Sequence, residues 1–251
     1  MRFHSRLLLV IACAVATGNG ADLAFDVASI KPAPPDARGW SIRPLPGRLR
    51  AGNVTLKQLI GEAYHVFDFQ ISGGPKWVDS DRYDVEAKIE REPVPTHTEM
   101  RAMLRNLLED RFALAVRHES RKMQVYALLT GQSGPKFQRA KDPGGQIVFR
   151  VFQRRQITAE NARLQNLTET LSYLIGTPVV DRTGLEGTFD YRLEWTPDEL
   201  QVRSTEAPPQ ADGDAPRLDG ALQQQLGLKL VSQKDQVEVM VVEKADKPTS
   251  N

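Results

Sequence analysis

The sequence predicts an α+β fold of two tandem related units, each β-α-β-β followed by α-β-β. The units lie near residues 22–142 and 147–246, either side by side or closed into one pseudo-twofold domain. Three observations carry this. Asn53-Val54-Thr55-Leu56 and Leu59, followed by Tyr83-Asp84-Val85-Glu86, return as Asn161-Ala162-Arg163-Leu164 and Leu167, followed by Phe189-Asp190-Tyr191. The Asn and Leu positions match at an offset of 108 and the aromatic-Asp pair at 106. A third offset, 114, carries Leu104, Leu108, Phe112, Leu114 and Val116 onto Leu218, Leu222, Leu226, Leu228 and Leu230. Apolar spacing also switches repeatedly between the helical period and the strand period.

Taken in order, Leu23, Phe25 and Val27 alternate with polar or small residues, so the stretch up to Ile30 reads as a strand. The prolines at 32, 34 and 35 end it. Gly39 to Gly47 reads as a loop, with Trp40 and Ile42 as anchors, and Arg48-Leu49-Arg50 as a short strand. Asn53 is suited to cap a helix whose apolar face is Leu56, Leu59, Ile60, Ala63 and Tyr64. Phe67 to Ile71 alternates and stops at Gly73-Gly74-Pro75, and Tyr83, Val85 and Ala87 share one face of the next strand. Thr96-His97-Thr98-Glu99 is a capping box before the stripe Met100, Met103, Leu104, Leu107 and Leu108. The alternations at 112–116 and 123–129, separated by polar His118 to Lys122, predict a hairpin, and Gly134 to Gly145 a hinge.

The second unit repeats the order. Ile157 lies on a strand before the Asn161 cap, and Leu164, Leu167, Leu171, Leu174 and Ile175 stripe a helix. Val179-Val180 precedes the turn at Asp181-Arg182-Thr183-Gly184, with Gly187 beyond, and Phe189, Tyr191, Leu193 and Trp195 alternate on a strand. Residues 197–217 are polar and Pro-containing, which predicts a long loop.

The start of the chain predicts an address. Met1 to Arg6 is cationic, Leu7 to Thr17 apolar, and Gly18 to Ala21 small, the layout of a secretory signal peptide over residues 1–21. The apolar run is too short to span a bilayer, and no longer one follows, so no transmembrane segment is expected in the mature chain. Cleavage near Ala21 removes two of the 33 basic residues and leaves the balance against 32 acidic ones near neutral. Val10-Ile11-Ala12-Cys13 offers the alternative of lipid anchoring at Cys13. Otherwise this single cysteine leaves with the leader, and the exported protein, periplasmic or extracellular, holds no disulfide.

The motifs Asn53 to Ile60, Gly73-Gly74-Pro75-Lys76-Trp77 and Asp81 to Lys88 resemble a family of exported bacterial proteins, the soil-associated proteins, whose function is uncharacterised. The resemblance continues through Leu107 to Phe112, Val125 to Leu128, Pro178 to Gly187, Gln225 to Leu230 and the closing Pro248 to Asn251. It implies an export signal and this domain, with no catalytic residue to carry over. In some relatives the domain is joined to membrane-bound, sensor-type metallopeptidase regions, which implies extracytoplasmic sensing or binding. The Asn-x-x-Leu helix with its flanking strands also resembles the short βαβ module at the N-termini of secretins.

Chemistry is sparsely signposted. Balanced charge predicts no nucleic-acid partner. His65, His97 and His118 lack metal-ligand spacing, and no Gly-rich segment carries the Lys-Ser/Thr of a phosphate loop, so neither metal nor cofactor is expected. Trp40, Trp77 and Trp195 could line a groove, though alternating aromatics more often build core. The expected function is a non-catalytic extracytoplasmic binding or sensing module that recruits an envelope protein or peptide by sheet-edge addition. The rivals are a purely structural envelope protein and an envelope hydrolase with a site between the halves. The hydrolase would draw on Asp84, Asp190 and His65 or His118, which would have to converge in a cleft.

Overall fold

In a computed structural model, residues 23–90, 92–152, 155–196 and 216–248 are described. The leader with Cys13, most of the polar loop at 197–217 and the last three residues lie outside them. The fold is α+β. Among the described residues no helix is long and apolar enough to cross a membrane.

The first sheet orders its strands β1 (Val27–Pro32), β5 (Arg82–Lys88), β3 (Arg48–Thr55) and β2 (Ser41–Leu45), all antiparallel. The third sheet orders β7 (Gln138–Arg139), β11 (Phe189–Glu194), β9 (Gln156–Ala162) and β8 (Val148–Phe152) in the same way. Each carries one long amphipathic helix after its central hairpin strand, α1 (Leu56–Tyr64) and α4 (Leu164–Ile175), with the apolar stripe turned inward. The short α2 spans Trp77–Ser80, and α3 (His97–Phe112) opens on the Thr96–Glu99 capping box. The last helix, α5 (Leu218–Ala221), runs on as a π turn over Leu222–Leu226.

The central sheet joins the halves. Strands β6 (Ala115–Thr130) and β12 (Leu228–Lys244) pair antiparallel along their lengths. The short β4 (Ile71–Gly73) lies parallel to β12 with Ile71 beside Met240, and β10 (Val179–Asp181) lies parallel to β6 with Val179 beside Tyr126. The two pairings correspond at the sequence offsets 108 and 114. Lys122 and Gln236, themselves 114 apart, face each other at the centre of the ladder. Each half therefore places its short strand on the other half's long one.

The cores follow that exchange. The first gathers α1, α3 and the first sheet around Phe112, and takes in Met240 and Val242 from β12. The second gathers α4, α5 and the third sheet around Trp195, and takes in Leu128 from β6. Edge-on packing of Tyr83 on Phe112 at 5.4 Å, and of Phe137 on Phe189 at 5.2 Å, fills the two interiors.

Several elements depart from the sequence reading. His118 to Lys122 is not a hairpin turn but the middle of β6, and the equivalent stretch of β12 is also continuous. These residues are polar because this part of the ribbon is largely exposed, and its backbone groups are satisfied by the partner strand. Cross-strand bonds such as Gln124 Nε2 to Ser232 Oγ, 2.7 Å, do the same for side chains. Ser41–Leu45, read as loop, is an edge strand that accommodates Pro44 because an edge needs amides on one side only. β1 likewise reaches Pro32 on an edge. Phe67 to Gln70 is a short turn in which Phe67 and Phe69 stack at 5.2 Å before the strand begins at Ile71.

Candidate functional site

Asp84 and Asp190 do the same local job in two separate sheets. Opposite each of them the neighbouring strand carries an extra residue, a β-bulge whose Asn is left-handed, φ 53° at Asn53 and 52° at Asn161. Asn tolerates that backbone better than other side chains do. The Asn53 N–H donates to Asp84 Oδ1 at 2.8 Å, and the Asn161 N–H donates to Asp190 Oδ1 at 2.8 Å. Asn53 Nδ2 reaches the Ala37 carbonyl at 3.3 Å and Asn161 Nδ2 donates to the Gly145 carbonyl, so each bulge also ties down the loop between the first two strands of its sheet. The Arg82 guanidinium donates to the Asn53 carbonyl at 2.8 Å.

Neither Asn caps a helix, which corrects the sequence reading. Thr55 caps α1 in a capping box with Gln58, and Arg163 occupies the cap position of α4 with its N–H on Asn166 Oδ1. A small polar side chain serves a cap and a left-handed bulge equally well, so the pattern misplaced its job by two residues.

This arrangement makes a prediction. Asp84→Ala or Asp190→Ala strands a bulge amide without its acceptor, and each is expected to cost about 1–3 kcal/mol of unfolding free energy. Asp→Asn should recover most of it, because the amide oxygen still accepts. Denaturant midpoints of the four variants check this, and equal losses for Ala and Asn would contradict it.

His65 is the exposed left-handed residue closing α1, φ 55°. His118 is exposed on β6 beside Met240, and His97 is the first residue of α3. The four candidates for acid–base chemistry do not share a cavity: Asp84 lies in a shallow polar hollow with Lys31, Arg43 and Arg50, whereas His65 lines a separate groove. Among the described residues no group of three or more His, Cys, Asp or Glu side chains is placed to hold a metal ion.

The groove that His65 lines, of about 760 Å³, lies between α1 and α4, over Val237 of β12. Phe67 and Phe69 contribute from one half, Tyr173 and Val179 from the other, with Trp40 from the start of the chain. Trp40 is 54% exposed and Tyr173 56%, so both rings stand half in solvent on a concave surface of mixed apolar and polar character. Lys57, Asp68 and Glu62 among its charged side chains form ion pairs, and Glu169 accepts from Gln165 at 2.8 Å. Lys57 sits 3.3 Å from both Asp68 and Asp79, and Glu62 meets Arg101 at 3.4 Å. The Ser172 hydroxyl donates to the Thr168 carbonyl and accepts the Val179 N–H, which leaves it poorly placed to act as a nucleophile.

The other recognisable motif residues also build structure. The backbone of Gly73, φ 80°, runs so close to β12 that an added Cβ would stand 2.8 Å from the Val242 carbonyl, and Gly74 abuts the Val242 side chain. Pro75 accepts the Val78 N–H at the start of α2, and Trp77 stacks on Phe112 with centroids 6.4 Å apart. Asp181 caps the turn through the Thr183 N–H and hydroxyl, and Gly184 and Gly187 hold positive φ there, 71° and 104°. Arg182 meets Asp235 of β12 at 2.6 Å, and its guanidinium holds that carboxyl below the usual carboxylate range. Burial pushes the Tyr191 phenol well above its ordinary value. Of the three tryptophans, Trp195 is core, Trp77 packs against the first core and Trp40 lines the groove.

The sequence reading flagged Trp40 but missed Phe67, Phe69 and Tyr173. Tyr173 could have been found, since it falls between buried Leu171 and Leu174 on the solvent side of the α4 stripe.

Comparison with family models finds a match to the description "Protein of unknown function (DUF3738)" over residues 57–245. Comparison with the curated proteins finds no match, and neither does comparison with the solved structures. The match takes in all but the first residue of α1, all of the central sheet and every groove-lining residue except Trp40 and Ile42, and the chain thus belongs to the DUF3738 family of proteins of unknown function.

Proposed function

We propose that this chain is an exported, non-catalytic binding module whose groove between α1 and α4 holds an apolar segment of an envelope peptide or protein. One observation carries the reading: a groove contributed by both halves exposes Trp40 and Tyr173 beside buried Val179 and Val237. Partly exposed rings that ligand can desolvate are the usual anchors of a binding surface. The fixed roles of Asp84, Asp190 and Ser172 weigh against the hydrolase reading. Export rests on the leader-like first 21 residues and on the resemblance to soil-associated exported proteins. The same reading takes the two units as products of an internal duplication, supported by the matching strand registers and paired bulges.

The test is selection from a random peptide library displayed on phage. The wild-type protein should enrich peptides rich in apolar and aromatic residues. Combining Trp40→Ala with Tyr173→Ala should weaken those peptides at least tenfold, about 1.4 kcal/mol or more. Unchanged affinity in that variant would remove the groove from the account.

A further inference from the structure

Among the described residues six strands stand at sheet edges, and five of them are short or interrupted. β4 and β10 have three residues each and β7 has two, while β1 and β2 carry Pro32 and Pro44. Among the described residues β8, with the sequence Val148-Phe149-Arg150-Val151-Phe152, pairs only with β9, and it contains no proline. Two of its four apolar side chains are also exposed, while Val148 and Phe149 are half-buried. Ile147 just before it is 58% accessible, Val151 42% and Phe152 46%, three of the nine large apolar residues exposed among the described residues. Proteins ordinarily blunt such an edge, because its free amides and carbonyls template another strand. β2, the corresponding edge in the first sheet, is blunted by its proline. Among the described residues, the third sheet leaves the same position open.

The charge on this edge decides what fits it. Arg150 is exposed and has no ion-pair partner among the described residues. In register it faces Thr158 of β9, which faces Arg192 of β11, so two guanidinium groups flank a threonine across the sheet. A second copy of β8 added antiparallel in the fully overlapped register would set Arg150 against Arg150, an unfavourable like-charge pair. An extended segment that alternates apolar and acidic residues would instead place a carboxylate opposite Arg150 on one face and lay apolar side chains over Ile147 and Val151 on the other. We propose that β8 is a strand-addition site for an extended peptide of alternating apolar and acidic residues, hydrogen-bonded as a fifth strand of the third sheet. This surface is distinct from the groove between α1 and α4 and does not depend on it.

The experiment uses the full chain and two synthetic probes, acetyl-Thr-Val-Glu-Val-Glu-Val-Thr-amide and the same peptide with lysine for glutamate, followed by calorimetric titration. The acidic probe should bind at least tenfold more tightly, and Arg150→Glu should invert that order. N-methylation of the acidic probe at alternate residues separates a ladder from simple charge attraction. One set of alternate positions should abolish binding and the other should leave it intact, since a strand bonds its neighbour along one edge only. The Trp40→Ala and Tyr173→Ala variant should bind the probe as the wild type does, whether or not the groove has a ligand. Equal affinity for the two probes, no inversion in Arg150→Glu, or equal effects of the two methylation patterns would each overturn the proposal. So would a concentration-dependent wild-type dimer, seen by sedimentation, that occupies β8 and excludes the acidic probe.

Discussion

Trp195→Ala should destabilise the protein by about 3–5 kcal/mol, the range for deleting a large aromatic side chain from a packed core. Trp195 is 1% exposed at the centre of the second core. The effect should not stay in the second half. Leu128 of β6 packs in that core, while Met240 and Val242 of β12 pack in the first, and β6 and β12 are one continuous ladder. Loosening either core therefore withdraws support from a strand that the other needs. In the variant, fluorescence is carried by Trp40 and Trp77, and Trp77 packs on Phe112 in the first half. Its unfolding midpoint should fall together with the loss of secondary structure followed by circular dichroism. A Trp77 signal that kept the wild-type midpoint would mean that the halves unfold separately.

Gly73→Ala should cost about 2–5 kcal/mol, combining a left-handed backbone unfavourable for alanine with overpacking. The obstruction at 2.8 Å is the Val242 carbonyl, a backbone atom with no rotamer to yield. Gly184 provides the control. It has a similar φ, 71°, but nothing within 4 Å of an added Cβ, so Gly184→Ala should lose only the conformational part, about 1–2 kcal/mol. Chemical denaturation of the two variants side by side checks the difference. Equal losses would show that Gly73 is required for its backbone angle and not for the approach of β4 to β12.

Local patterns carried the local structure well. The stripes of α1, α3 and α4 and the Thr96–Glu99 capping box were legible because 3.6-residue spacing and cap chemistry involve neighbours in sequence. The middle of β6 was misread because a polar run usually marks a turn. Yet of the residues a tight turn favours, His118 to Lys122 contains only Ser120 and no Gly, Pro, Asn or Asp, and that scarcity was the available signal. The bulges were hidden for a different reason. Asn53 and Asp84 are 31 residues apart, and their bond exists only once β3 and β5 are in register. The groove was least legible of all. Its lining comes from the start of β2, the end of α1, one face of α4 and the middle of β12, segments that meet only through the exchanged strands of the central sheet.

Amide hydrogen exchange of the full chain, with and without a library-selected peptide, tests the binding account most directly. The account predicts slowed exchange in residues 56–71 and 168–180, on both walls of the groove, with the bulges at Asn53 and Asn161 unchanged. Protection confined to the hollow around Asp84, or none on either wall, would contradict it.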